Sequence, residues 1–297
     1  MYIYKYYIIK IIKDSIHTTV YKVLKNKKLY CIKNIKNNNY LQNEVIILKN
    51  INHINHINII KFYDFIPNIN NYYIITEYSN YGNLTEFLNN RQIIDKYAIK
   101  YIYQIIEGLK FLHDNNIIHR NLNLDNIIIY NNNLLKISNF GFSNIKNNTM
   151  SANLIYKAPE LLNGINYDKK TDIWSIGIIL YKLIYNRMPL YEKNLPDKSI
   201  YNDNINDNIN DILKLILEKN SIKRININQL FEINYLKKYK QLIIINKNDI
   251  FIINNLFDTI ILDDNIIDDN IIYEQYFKTN NLNLLKSYNI DEEYDII

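Results

Sequence analysis

Apolar residues in the first 35 positions fall into short β-branched runs between polar turns. Tyr7–Lys13 is apolar and β-branched, Thr18–Leu24 partly alternates, and Lys28–Ile35 follows a Lys/Asn turn. Such runs predict three strands. From Tyr40 to Lys49 the spacing changes: Leu41, Val45 and Leu48 recur at helical intervals and predict a helix. Ile59–Phe65 and Tyr72–Tyr78 return to strand character. Asp95–Asp114 reads as one long amphipathic helix, with Tyr97, Ile99, Tyr101, Ile102, Ile105, Ile106, Leu109 and Leu112 on its apolar side. Gly108 lets a neighbour pack closely against it. Asn226–Phe231 reads as a late helix.

The stretch Ile117–Gly141 has its own design. Two polar turns, His119–Asn126 and Ser138–Gly141, each follow an apolar run. They are joined by Ile127–Tyr130, the turn-forming Asn131–Asn133, and Leu134–Ile137. Apolar runs either side of an Asn cluster predict a hairpin, which brings the two polar turns together.

These turns resemble the catalytic loop and metal loop of protein kinases, whose patterns are H-R-D-L-x-x-x-N and D-F-G. They stand here as His119-Arg120-Asn121-Leu122-Asn123-Leu124-Asp125-Asn126 and Asn139-Phe140-Gly141. Tyr30-Cys31-Ile32-Lys33 resembles V-A-I-K, Ala158-Pro159-Glu160 is A-P-E, and Asp172-Ile173-Trp174-Ser175-Ile176-Gly177 resembles D-x-W-S-x-G, which in the family starts a buried helix, here expected to run to about Tyr185. The resemblance runs over about residues 7–240 and is to the Ser/Thr group. The short run Asn139–Asn144 is similar to the calcium/calmodulin and AMP-activated kinases.

The resemblance implies a bilobal α+β kinase fold: a small antiparallel β-sheet lobe with one main helix, and a larger, mainly helical lobe. Residues 1–76 would form the small lobe, 77–82 the hinge and 83–240 the large lobe, with 241–297 as an extension. It further implies that Lys33 holds the α- and β-phosphates and pairs with Glu44. The nucleotide pocket would be walled by Ile12, Val20, Cys31 and Ile128, with Thr76 at its back and Glu77 and Tyr78 in the hinge. Asn126 would complete the nucleotide-binding set. An internal stack of Leu48, Phe62, His119 and Phe140 would be anchored by Asp172, and Glu160 would pair with Arg224. The segment before A-P-E contains Thr149 and Ser151, candidate phosphoacceptors.

The departures lie at the chemistry. Asn121 stands at the base position, Asn123 at the lysine position, and Asn126 with Asn139 at the metal positions. Asn153 replaces the threonine beside the catalytic loop. An amide is neutral, cannot take a proton near neutral pH, and is a weak ligand for a hard dication. The three glycine positions of the phosphate loop hold Lys13, Ser15 and Thr18, so the loop cannot close its amides over phosphate without Cβ atoms in the way. Lys13 or Asp14 could reach in from that altered loop. The expectation is a catalytically impaired pseudokinase, a scaffold or allosteric regulator that binds ATP weakly and takes magnesium poorly. Two readings stand beside it: a non-standard active Ser/Thr kinase, and a sensor whose lobe closure is set by ATP without turnover. The expected partner is a protein, with an active kinase as the candidate, and not nucleic acid or membrane.

Composition changes this picture in three ways. The favoured residues Ile, Asn, Lys and Tyr have A- and T-rich codons, which fits an AT-rich genome and lowers the information in any single Asn. One cysteine, Cys31, suits a reducing compartment, and no run is long enough for a membrane helix, so a cytoplasmic protein is expected, in a host's cytoplasm if the gene is viral. The formal charge of +5 is uneven: from Asp249 onward eleven acidic residues face two basic ones. A basic body with an acidic tail suggests that the tail is solvated, lies on the body, or meets a basic partner. His53 and His56 sit three apart in a repeated NHI unit, where a solvated loop is expected rather than a metal pair.

Overall fold

Strands β1 (Tyr2–Ile3), β2 (Tyr6–Asp14), β3 (Thr18–Lys25), β4 (Lys28–Lys36), β5 (Phe62–Pro67) and β6 (Asn71–Glu77) form one antiparallel sheet in the order β1-β2-β3-β4-β6-β5. The computed structural model describes residues 1–36, 42–68, 71–89, 93–130, 133–143, 153–164, 168–189, 191–192, 195–196 and 207–239. The two faces of the sheet bury different sets. On one, Val23, Ile32 and Ile75 pack beneath Ile3 and Tyr6 from the first residues of the chain. On the other, Ile35, Tyr72 and Ile74 join the main core with helix α1 (Gln42–Asn52). Strand β1 was not anticipated, because two residues show no period until a partner is present.

Below the sheet the chain is mainly helical. Gly82, at φ 72°, turns the chain into α2 (Leu84–Leu88), whose first turn is closed by a reciprocal cap between Asn83 and Glu86. Helix α3 spans Asp95–Asp114, as its periodicity predicts, and packs on α5 (Lys170–Tyr185). Helix α5 is buried on nearly every side, so its sequence is apolar without a polar face. Short α4 (Pro159–Leu162) precedes it. Strands β9 (Tyr191–Glu192) and β10 (Leu195–Pro196) and helices α6 (Asp207–Ile216), α7 (Ile227–Phe231) and α8 (Asn234–Lys237) follow it. The expected late helix is α7, with Asn226 as its cap rather than its first turn. Among the described residues no helix is long and apolar enough to cross a membrane.

The predicted hairpin is present as β7 (Ile127–Tyr130) and β8 (Leu134–Ile137), antiparallel with Ile127 opposite Ile137. It is also the seam between the sheet and the helices. Ile137 donates its N–H to Asn58 O at 2.9 Å, and Ile60 donates to Ile137 O at 2.9 Å. Lys136 reaches both oxygens of Glu77, at 2.7 and 2.9 Å. The architecture is a bilobal α+β kinase fold.

Candidate functional site

The polar turns are held from below by one carboxylate. Asp172, at the start of α5, is fully buried and accepts the backbone N–H of His119 (2.8 Å) and of Arg120 (2.7 Å), and it bonds His113 Nε2 at 2.9 Å. Burial pushes this carboxyl up, but the hydrogen bond and charge of His113, with help from His119, outweigh it and leave it below the usual range. Arg120 has φ 63°, a region that non-glycine residues enter at some cost in energy. The bond from its N–H to Asp172 fixes it there. Burial lowers the His119 imidazole below its ordinary pKa, against the opposing pull of Asp172. The neutral ring donates Nε2–H to Ser138 O at 3.0 Å and accepts the Asn121 N–H on Nδ1 at 3.3 Å.

The hairpin then delivers the second turn against the first. Ser138 N–H donates to Asn126 O at 2.9 Å, and the rings of His119 and Phe140 meet edge-on at 5.4 Å. Leu48, Phe62, His119 and Phe140 are all buried. Above them, Lys33 Nζ donates to Glu44 Oε2 at 2.6 Å and to Asn139 Oδ1 at 2.9 Å. Asn139 has φ 67°, a conformation that asparagine tolerates better than most residues. Its Nδ2 donates to Asn126 Oδ1 at 2.8 Å, and Asn126 Nδ2 donates to Asn121 O at 2.7 Å. Each link fixes the orientation of the next. Lysine can only donate, so the Asn139 oxygen must face it; its nitrogen then requires the Asn126 oxygen. The result is one directed chain of direct hydrogen bonds, Lys33 to Asn139 to Asn126 to Asn121.

Asn123 is used structurally. Its Oδ1 accepts the N–H of Asp125 (2.9 Å) and of Asn126 (3.2 Å), and its Nδ2 donates to Asn121 O at 3.0 Å. Asp125 is exposed. The structure therefore brings together Lys33, Glu44, Asn121, Asn123, Asn126 and Asn139.

The wall residues are placed less uniformly. Val20, Cys31, Thr76, Tyr78 and Ile128 are half-buried. Burial pushes the Cys31 thiol up to about 11, so it is a neutral wall and not a nucleophile. Ile12 is 42% exposed and sits at an irregularity of the β2–β3 ladder, between the pairs Ile11–Tyr21 and Lys13–Val20, rather than in register with the other wall residues. Glu77 points to Lys136 and to the Lys61 N–H, not into the cleft. Asp14 is turned away too: its Oδ1 accepts the Thr19 hydroxyl at 2.8 Å.

Kinase metal sites use oxygen ligands on a hard dication. Here the Asn139 oxygen accepts from an ammonium, the Asn126 oxygen accepts from Asn139, and neither group carries charge. Among the described residues no group of three or more His, Cys, Asp or Glu could hold a metal ion. Two neutral amides are a weak donor set for a hard dication. His56 lies in a loop, half-buried, with its ring stacked on Phe111 at 4.8 Å. Thr149, Ser151 and the weak helical signals at Leu242–Leu256 and Tyr273–Leu285 lie outside the described residues.

Sequence reasoning did not find the bond between Lys33 and Asn139, nor the Lys136–Glu77 pair. Both join residues at least 59 positions apart and leave no local pattern. A cavity of about 160 Å³ lies elsewhere, lined by His113, Lys169, Ile173 and Asn226 among others, and none of the expected site residues lines it.

A family model described as a protein kinase domain matches residues 11–236. Over 163 residues the chain is 36% identical to the serine/threonine-protein kinase polo of Drosophila melanogaster, a match covering 52% of this chain and 27% of that protein. It is 34% identical over 198 residues to an Aurora kinase of Debaryomyces hansenii, covering 63% and 47%. A third relative, the SNF1-related protein kinase catalytic subunit alpha KIN12 of Arabidopsis thaliana, is 31% identical over 187 residues, covering 61% and 37%. The matches thus span 27% to 47% of these relatives' own length.

Proposed function

The chain belongs to the protein kinase domain family, and we propose that it is a pseudokinase, acting by binding a protein partner as scaffold or allosteric regulator, with an active kinase as the candidate. The observation that carries this reading is the hydrogen-bonded chain that runs from the Lys33 ammonium through the neutral amides of Asn139 and Asn126 to the Asn121 carbonyl. Kinase catalysis is positioning plus neutralisation of developing charge. This centre keeps the positioning and lacks the charges. At Asn121 the loss of a general base alone is worth on the order of 10²–10⁴ in rate. At Asn139 the amide makes an internal bond where the family's carboxylate meets the dication. The two losses act on one unit and do not simply add. Kinase domains in general use ATP with magnesium; here ATP binding is weak, and the amides give magnesium little hold. The expected result is no phosphoryl transfer to protein at high enzyme concentration. Turnover abolished by Lys33→Met would overturn the reading.

The second reading, a non-standard active Ser/Thr kinase, is favoured by the assembled state of the rest: the Lys33–Glu44 bridge is formed and the Phe140 stack is closed. Asn121→Asp with Asn139→Asp discriminates. If the double variant gains activity over the wild type, the two amides are what silence the protein.

A further inference from the structure

Two tight hairpins bring lysines to the outer face of the small sheet, opposite the cleft that Lys33 lines. Strands β1 and β2 are joined by Tyr4 and Lys5, with Ile3 opposite Tyr6. Strands β3 and β4 are joined by Asn26 and Lys27, with Lys25 opposite Lys28. Side chains alternate between faces, so Val23 and Lys25 lie on the side away from Val20 and Lys33. Asn26 and Lys27 have φ 49° and 61°, the geometry of a two-residue turn whose second place usually holds glycine. A lysine there adds charge at some cost in backbone energy. The hairpins meet at Tyr6, which packs in the outer cluster with Ile3 and Val23, and the Lys25 ammonium lies over its ring at 4.8 Å.

Lysines occur on both faces of this sheet; these are set apart by crowding. Lys28 and Lys61 both hold their ammoniums over the Tyr63 ring, at 5.9 and 5.4 Å. Tyr6, Tyr30 and Tyr63 follow one another edge-on, with centroids 5.7 and 5.0 Å apart, so these cations and Lys25 share one aromatic floor. Burial lowers the Lys25 ammonium below its usual range, and the adjacent Lys5 lowers it further, against the pull of Asp64. Like charges directly opposite on paired strands, as Lys25 and Lys28 are, repel. Asp64 is the acid facing Tyr6 and Lys25; Glu77, opposite Tyr30, is held by Lys136. Lys5, Lys27, Lys28 and Lys61 are exposed. Beside them the same face exposes Tyr4, whose ring meets Tyr73 at 6.2 Å, and Ile11, the partner of Tyr21.

We propose that this outer face docks on an anionic phospholipid bilayer, with Lys5, Lys25, Lys27, Lys28 and Lys61 against the headgroups and Tyr4 and Ile11 beside them. Each lysine near such a surface is worth about fivefold in affinity. A layer of negative headgroups turns the repulsion among the lysines into attraction. Tyrosine suits that depth, because its ring is apolar and its hydroxyl is wet. Long lysine stems let the ammoniums lift from the tyrosine rings to the lipid phosphates. A sheet face with two tight turns fits a flat layer better than it fits a peptide that needs a groove. Among the described residues no helix is long and apolar enough to span a bilayer, and a surface contact requires none. The contact is reversible, since a basic patch is a single signal. The inference stands apart from the catalytic question: it places a scaffold or an enzyme equally well.

The test floats the full chain with vesicles of phosphatidylcholine alone and of phosphatidylcholine mixed equally with phosphatidylserine, at low and high salt. The chain should bind the mixed vesicles alone, and less as salt rises. Lys5→Glu with Lys28→Glu should weaken that binding by about tenfold or more. Both side chains are exposed, so the melting curve should be no lower than that of the wild type. Lys219→Glu with Lys223→Glu makes the same change in net charge from exposed positions of the large lobe and should leave binding unchanged. Equal binding to both vesicles, or equal loss in the two double variants, overturns the proposal. Polyglutamate binding through Lys5 and Lys28 without vesicle binding also overturns it, and assigns the surface to an acidic protein segment instead.

Discussion

Asn139 concentrates the chemistry of the site in one side chain that both accepts and donates. An aspartate there could still face Lys33 but could not donate to Asn126 Oδ1, so two oxygens would be left facing one another. A dication is what relieves such a pair. We therefore expect Asn139→Asp to make magnesium strengthen ATP binding by about tenfold, the worth of one charge-assisted contact, in titrations with and without the metal. His119 sets a pH limit at the same scale. Its folded pKa lies below the ordinary value of 6.5, so below that pH the unfolded chain binds more protons than the folded one. Stability should fall as the pH drops from 6.5, by up to about 1.4 kcal/mol per pH unit, until the folded ring also protonates. Urea unfolding at a series of pH values measures this, and His119→Phe should flatten the slope.

Among the elements, those with many turns or a paired partner in sequence were legible in advance. Helix α3 matches its expected bounds, Asp95–Asp114, because an apolar stripe over that length fits no other period. The β7–β8 hairpin matches as well, since the Asn cluster marks its turn. Helix α1 runs past Lys49 to Asn52, because buried Ile51, three residues after Leu48, carries the apolar stripe on. The site was legible as a series of motifs in order, but not as a bonded network. That Asn139 turns its oxygen to Lys33 is a tertiary fact, 106 residues apart in sequence. The Asn-rich composition obscured it further, because an amide at any one position carried little weight. Gly108 is the element-scale test. A Cβ there would lie 2.8 Å from Asn58 O and 3.0 Å from Ile137 Cδ1. Alanine favours helix by about 1 kcal/mol over glycine, yet the contact is with backbone that the hairpin holds. Gly108→Ala should destabilise by about 1–3 kcal/mol in urea.

For the whole molecule, one buried ion pair ties the end of the large lobe to its middle. Arg224 makes a two-pronged contact with Glu160, at 2.7 and 3.0 Å, and also bonds Glu218 O and Lys170 O, both at 2.9 Å. Arg224 is 1% exposed and its guanidinium lies over Trp174 at 4.9 Å. Arg224→Ala leaves Glu160 charged and unpaired in the interior, so we expect a loss of about 3–5 kcal/mol, read as a lower urea midpoint. Lysine should not rescue it, having a point charge in place of a fork.

The Lys136–Glu77 contact has a different consequence, because it crosses from the hairpin to the strand that leads into the hinge. Glu77 is also pinned by the Lys61 N–H at 2.7 Å, so the strand end is gripped from both sides. Any breathing of the upper lobe away from the lower must pull a carboxylate off an ammonium. Added salt weakens that grip, and the frequency with which the molecule gapes should therefore rise with the ionic strength of its surroundings.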